Sequence, residues 1–202
     1  MIRNIIFDVG KVLVSYEPEE MMRKLGYTEE QIQIVNAAMF CNPLWDEADK
    51  GIRSSEEYYE AFLNQNPEHK DIIQKAYEHI GDCIEILPHT MDWILEMKQR
   101  EYHVYILSNY SEYTFEVTKE KLAFLPLMDG IVFSYKTKMG KPDEGIYKKL
   151  ISEFFLEEKE SVFIDDRREN VEAAERLGIK GIQFFNYSQA KAELDTYLIN
   201  NG

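Results

Sequence analysis

Five short apolar runs recur along this chain, and three of them stop at residues able to do chemistry. The runs are 3–7, 103–107, 131–133, 161–164 and 182–185, and the stops are Asp8, Ser108 and the pair Asp165 and Asp166. Between the later runs lie segments with helical apolar spacing. The clearest are 90–99, with Met91, Ile94, Leu95 and Met97 on one face, and 143–154, with Ile146, Tyr147, Leu150, Ile151 and Phe154. Segments 112–122, 170–177 and 190–198 read the same way, and Gly178 is placed to end the second of these. Strands alternating with helices of this length call for an α/β fold, a Rossmann-like three-layer sandwich with a central parallel sheet covered on both faces. Right-handed crossovers then place all the strand ends on one side. The first run, in the stretch IIFDVGKVL, carries one acid to that side, and Gly10 is read as the residue that lets the chain turn sharply after it.

From residue 16 to about residue 86 the character changes. The sequence there is charged, helically spaced and poor in β-branched runs. Pro18 followed by Glu19 and Glu20 marks a helix start, Thr28 and Gln31 form a capping box, and Ser54 or Ser55 caps a helix bearing Tyr58, Tyr59, Phe62 and Leu63. Residues 72–80 read as another helix. The expected organisation is a core domain made of 1–15 and 87–202, with a helical cap domain, 16–86, inserted after the first strand.

Charge restricts the partners. The 202 residues carry 37 acidic against 23 basic side chains, a formal net charge of -14, which repels nucleic-acid backbones and anionic membranes. No stretch approaches the ~20 apolar residues of a spanning helix, and none before Asp8 has the length of a signal sequence. Cys41 and Cys83, the only cysteines, lack the spacing of a disulfide framework or a zinc site. The expectation is a cytoplasmic protein with reduced thiols, a monomer or weak homodimer, whose partner is a small molecule rather than nucleic acid or membrane.

The topology brings Asp8, Ser108 and the Asp165/Asp166 pair to one sheet edge. Carboxylates gathered there repel one another unless a cation sits among them. Oxygen ligands of this kind suit magnesium, which binds few protein carboxylates and keeps several water or phosphate oxygens.

Four segments in register, FDVG with Val12 and Leu13, LSN at 107–109, GKPDEGIY at 140–147 and FIDDRREN at 163–170, resemble the motifs of the haloacid dehalogenase-like hydrolase superfamily. Within it they are similar to a bacterial group that includes an α-D-glucose-1-phosphate phosphatase, and more distantly to the phosphatase domain of soluble epoxide hydrolases. The resemblance covers the sheet domain, and the insertion matches only as a helical cap. It implies a phosphatase in which Asp8 attacks phosphorus and becomes an aspartyl phosphate. Ser108 and the Asn109 amide would hold phosphate oxygens, and Lys141 would bridge Asp8 and the phosphate. Magnesium would be bound by Asp8, the Gly10 carbonyl and Asp166, with Asp165 and Asn170 in supporting positions behind it.

Gly10 departs from the pattern. Most phosphatases of the superfamily carry a second aspartate two residues after the nucleophile, which protonates the leaving oxygen and then activates water. General acid help is typically worth about 10²–10⁴-fold, so its loss slows a poor leaving group without abolishing turnover. A sugar 1-phosphate, whose anomeric oxygen leaves more readily than a simple alcohol, fits that compromise, and glucose 1-phosphate is the example the resemblance suggests. A 2-haloacid dehalogenase and a catalytically weak ligand-binding or interaction module are the alternative readings; the acidic magnesium pair argues against the first. For substrate contacts the cap offers Tyr16, Glu17, Phe40, Trp45 and Arg53, which lie near its junctions and breaks. His89 and His103 read as surface residues.

Overall fold

Strands β1 (Asn4–Phe7), β2 (His103–Ser108), β3 (Gly130–Phe133), β4 (Ser161–Asp165) and β5 (Lys180–Gln183) form one parallel sheet in the order β3-β2-β1-β4-β5. The coordinates, a computed structural model, describe residues 1–199, so the last three residues of the expected second core stretch lie outside the described residues. Phe7 is level with Ile106 on one side and with Ile164 on the other. Asp8, one step further along, therefore stands beside Asp165, and its amide donates to the Ile164 carbonyl at 2.9 Å. The chain runs outward through β2 and β3, then crosses back over β1 to β4 and β5. In sheets of this kind ligands bind outside the strand ends where the order reverses, here between β1 and β4.

Side-chain alternation along the strands feeds two apolar layers. Ile5, Phe7, Val104, Ile106, Val162 and Ile164 face Trp93, Ile94 and Met97 of helix Thr90–Gln99 and Ala190 and Leu194 of helix Tyr187–Ile199. Ile6, Tyr105, Leu107 and Phe163 face the other way, against Ile146, Tyr147 and Leu150 of helix Glu144–Phe154 and Ala173 and Ala174 of helix Arg168–Arg176. This is the expected α/β sandwich with a parallel core, its central strands buried on both faces.

Between β1 and β2 the chain forms helices Pro18–Lys24, Glu29–Val35, Pro43–Asp49, Ser55–Gln65 and Lys70–Glu78. The capping box read at Thr28 is present, and of the two candidate serines it is Ser54 that caps its helix, also in a box. Thr28 accepts from the Gln31 amide while the Gln31 side chain accepts from the Thr28 amide, and Ser54 and Glu57 make the same exchange. The chain enters and leaves this region side by side, with the Ser15 amide donating to the Glu85 carbonyl at 2.7 Å and the Leu87 amide to the Leu13 carbonyl at 3.0 Å. Met21, Met22, Ile32, Val35, Phe62, Ile73 and Ala76 join the buried cluster on the Phe7 face of the sheet, so the helical segment packs as an extension of that core.

Two local expectations are corrected. The last strand is Lys180–Gln183 rather than 182–185. It starts early because Gly181 admits Val171 of the neighbouring helix, whose Cγ1 would lie 2.4 Å from a Cβ there, and Phe185 turns out to solvent at 70% exposure. The helix expected over 143–154 runs Glu144–Phe154, with Asp143 as its N-cap accepting from the Gly145 amide. His89 is half-buried, stacked on Tyr187 at 4.6 Å with Nε2 3.0 Å from the Val12 carbonyl oxygen.

Candidate active site

The sheet edge above β1 and β4 holds a buried ion triad. The Lys141 ammonium lies 2.8 Å from Asp8 Oδ1 and 2.6 Å from Asp165 Oδ2, with all three side chains nearly or completely out of solvent. Its backbone is held by Asn109, whose side-chain carbonyl accepts from the Lys141 amide at 2.8 Å and whose side-chain amide donates to the Lys141 carbonyl at 3.0 Å. The two-way clamp places the lysine loop against the end of β2 and leaves the ammonium over the face of Phe163. Asn109 thus does structural work that the sequence reading, concerned with its backbone amide, missed.

Asp165 is the most constrained member. Its Oδ1 accepts from the Arg167 amide at 2.8 Å, Oδ2 accepts from Lys141, and the Asn170 side-chain amide spans both oxygens at 3.0 and 3.1 Å. Asn170 is fixed in turn from behind: Tyr147, of the GKPDEGIY segment, donates its hydroxyl to the Asn170 carbonyl at 2.8 Å. Asp166 lines the cleft and is half-buried.

Burial and close charges shift three groups of this site. Burial works against the Lys141 charge, but Asp165 and Asp8 outweigh it and hold its pKa above the usual lysine value. Burial also pushes Asp8 up to about 6; Lys141 and the Ser108 hydroxyl pull the other way, while the Asp165 charge adds to the rise. Asp166 is likewise raised, by burial and by Asp165.

Carboxylate oxygens of Asp8, Asp165 and Asp166 lie within 4.8 Å of one another. Three carboxylates against one ammonium leave two formal negative charges in a small volume, and the buried Asn170 Oδ1 has no hydrogen-bond partner. A divalent cation with hard oxygen ligands fits that set. Asp8 and Asp166 face the cleft, whereas Asp165 is already saturated by Lys141, Asn170 and Arg167.

The site opens into a cleft of about 280 Å³ whose floor is Asp8, Gly10, Ser108, Asn109, Lys141 and Asp166. At Gly10 a Cβ would meet nothing within 4 Å, and the left-handed residue of the turn is Lys11, at φ 60°. The expectation that Gly10 supplies the sharp turn is therefore corrected, because the glycine is not required by the backbone.

A family model for haloacid dehalogenase-like hydrolases matches residues 2–178, which include all four motif segments. The chain belongs to the haloacid dehalogenase-like hydrolase family. This hydrolase is 24% identical to a D-ribitol-5-phosphate phosphatase of Bacteroides thetaiotaomicron over the full length of both chains. It shares its fold, at TM-score 0.76 and 24% identity, with a predicted haloacid dehalogenase-like hydrolase from Porphyromonas gingivalis, covering 98% of each chain. It also superposes at TM-score 0.71 and 23% identity on a haloacid dehalogenase family enzyme from B. thetaiotaomicron solved with magnesium and inorganic phosphate, covering 91% of this chain and 94% of that one.

Of the residues this haloacid dehalogenase-like hydrolase was expected to bring to its substrate, Tyr16, Phe40 and Trp45 line the cleft roof, with Phe40 and Trp45 packed at 5.0 Å. Glu17 and Arg53 do not. Glu17 is exposed before the first cap helix, and Arg53 pairs with Glu47 at 2.9 Å away from the cleft. The sequence reading also missed Asp46, Asp49 and Arg167, which all line the cleft. A faint signal existed for the two acids. They sit three residues apart on one helix face just before Gly51, which takes φ 59°.

Proposed function

We propose that the protein is a magnesium-dependent phosphatase that hydrolyses a small phosphate monoester through a phosphorylated Asp8. The observation that carries the reading is Lys141, buried between Asp8 and Asp165 at the floor of a cleft that also presents Asp166. Phosphoryl transfer needs that combination: a carboxylate to attack, and positive charge to neutralise the phosphoryl oxygens. The relatives add support, since one is a sugar-alcohol phosphate phosphatase and one neighbour holds magnesium with phosphate.

In this mechanism an Asp8 carboxylate oxygen attacks phosphorus and the bond to the alcohol oxygen breaks. The short contacts from Val9 and Lys141 both fall on Oδ1, so Oδ2 takes neither. Lys141 and Ser108 hold phosphoryl oxygens, and Asn109 keeps Lys141 in place. Asp8, Asp166 and the Gly10 carbonyl would hold magnesium, which when bound would supply charge neutralisation at the transferring group. Water then attacks the phosphorus on Asp8, releasing inorganic phosphate and restoring the carboxylate. A cleft of about 280 Å³ with an aromatic roof and acidic walls suits a compact polyhydroxylated ester such as a sugar phosphate.

The test is phosphate release from a panel of phosphorylated metabolites, including glucose 1-phosphate, glucose 6-phosphate and sugar-alcohol phosphates, with magnesium and with chelator. Activity that requires magnesium and is lost in Asp8→Asn is expected. Chloride release from 2-chloroacids in its place would install the dehalogenase reading.

A further inference from the structure

The mechanism above leaves one proton unassigned. An alkoxide leaving from phosphorus needs a donor, and position 10 has no side chain to provide it. We propose that Asp49, reaching over from the helical segment, donates that proton to the leaving oxygen and then takes one from the attacking water. The proposal rests on the phosphatase reading and gives that site its missing acid and base.

Asp49 ends helix Pro43–Asp49 and lines the same cleft as Asp8, Lys141 and Asp166. It comes to the cleft from the helical segment between β1 and β2, whereas Asp8, Lys141 and Asp166 come from the sheet side. Among the described residues its carboxylate makes no hydrogen bond and no ion pair. The other cleft carboxylates are committed or exposed. Lys141 ties Asp8 and Asp165, Asp166 belongs to the cation set, and Asp46 is exposed. The two tyrosines nearby are poor substitutes. Tyr110 engages the Thr118 hydroxyl at 2.8 Å, and burial drives both it and Tyr16 upward.

The backbone that carries Asp49 is anchored to the core. Ser134 donates its hydroxyl to the Asp49 carbonyl and accepts from the Tyr110 amide at 2.8 Å, two residues beyond Ser108. Lys138 donates to the Gly51 carbonyl, and Gly51 sits so close to Tyr135 that a Cβ would lie 2.9 Å from the Tyr135 carbonyl oxygen. The turn 49–51 is thus latched onto helix Ser134–Thr137, which directly follows β3. Burial, with the charges of Asp46 and Asp8, pushes Asp49 up to about 7, and Lys141 and Arg167 oppose the rise. A carboxyl in that range both gives and recovers a proton near neutral pH.

The chemistry balances. As Asp8 bonds to phosphorus and the P–O bond breaks, the Asp49 proton passes to the leaving oxygen and an alcohol departs. In the second half-reaction the Asp49 carboxylate removes a proton from water while its oxygen bonds to phosphorus and the bond to Asp8 breaks. Inorganic phosphate leaves, and Asp49 is protonated again.

The experiment compares kcat/KM, which reports transfer to Asp8 alone, for p-nitrophenyl phosphate and for an alkyl ester such as ribitol 5-phosphate. In Asp49→Asn the alkyl value is expected to fall about 10²–10⁴-fold. The p-nitrophenyl value, whose leaving group needs no proton, should hold nearly constant. Adding Gly10→Asp to that variant, which has room for the new side chain, should recover part of the alkyl rate. The aryl ester also checks that Asp49→Asn still folds and binds. Equal losses on both esters, or a loss on neither, would overturn the proton role while leaving the phosphatase reading intact. Wild-type protein silent toward both would remove the two together.

Discussion

Replacing Lys141 with methionine keeps most of the side-chain volume and deletes the charge, which isolates what the ammonium does. In the wild type it neutralises part of a buried cluster at contacts of 2.8 and 2.6 Å, with the lysine side chain 1% exposed. Without it, Asp8 and Asp165 face each other with only hydrogen bonds for support. Breaking a buried pair in this way costs about 3–5 kcal/mol. At about 2–4 °C per kcal/mol for a chain of this size, the metal-free melting temperature should drop by about 6–20 °C. The pH dependence has a fixed sign. Asp8 is already raised from 3.8 to about 6, and losing Lys141 raises it further, so protonation at pH 5 relieves the variant more than the wild type. Thermal melts in chelator at pH 8 and pH 5 should therefore show a large deficit that shrinks on acidification. A deficit below about 2 °C at pH 8, less than the shift for 1 kcal/mol, would refute the buried-triad argument.

Other outcomes follow from the same geometry. Asp8 and Asp49 are pushed up from 3.8 to about 6 and about 7. A raised carboxyl favours the folded state while protonated and costs stability as pH climbs from its unfolded value through its folded one. Magnesium competes for the Asp8 charge, so the magnesium-induced gain in melting temperature should be larger at pH 7.5 than at pH 5; an equal gain would place the ion elsewhere. Asn109→Ala releases the Lys141 backbone clamp and should lower kcat more than it raises KM, as steady-state kinetics would report. Gly51→Ala pushes a methyl against the Tyr135 carbonyl at a residue with φ 59°, and should reduce kcat/KM for alkyl esters more than for aryl esters by shifting Asp49. Trp45→Ala opens the roof and should raise KM with a smaller effect on kcat, whereas unchanged kinetics would remove the roof from substrate binding.

The sheet and its polar endings were legible because they depend on local patterns. A buried parallel strand needs an unbroken apolar run, and its end is visible as the first residue that burial alone does not explain, as at Phe7–Asp8 and Ile164–Asp165. The capping box at Thr28 and the cap at Ser54 or Ser55 were equally local. What escaped depended on contacts distant in sequence. Nothing around Gly181 announces that Val171 packs over it, so the last strand was read two residues late. The Asn109 clamp spans 32 residues to Lys141, and Asp49 reaches the cleft only because Ser134 and Lys138, more than 80 residues on, hold its turn. Gly10 misled in the opposite direction, since its turn was credited to the glycine when Lys11 adopts the left-handed conformation.

In the proposed reaction Asp8 carries the phosphoryl group. Enzyme mixed with magnesium and substrate, quenched in acid within a single turnover and reduced with borohydride, converts an aspartyl phosphate to homoserine that peptide mass spectrometry locates. Homoserine is expected at position 8, absent from Asp49→Asn only if that variant fails to form the phosphoenzyme from a poor leaving group. Phosphate release with an unmodified Asp8 throughout the turnover, or modification confined to another carboxylate, would contradict it.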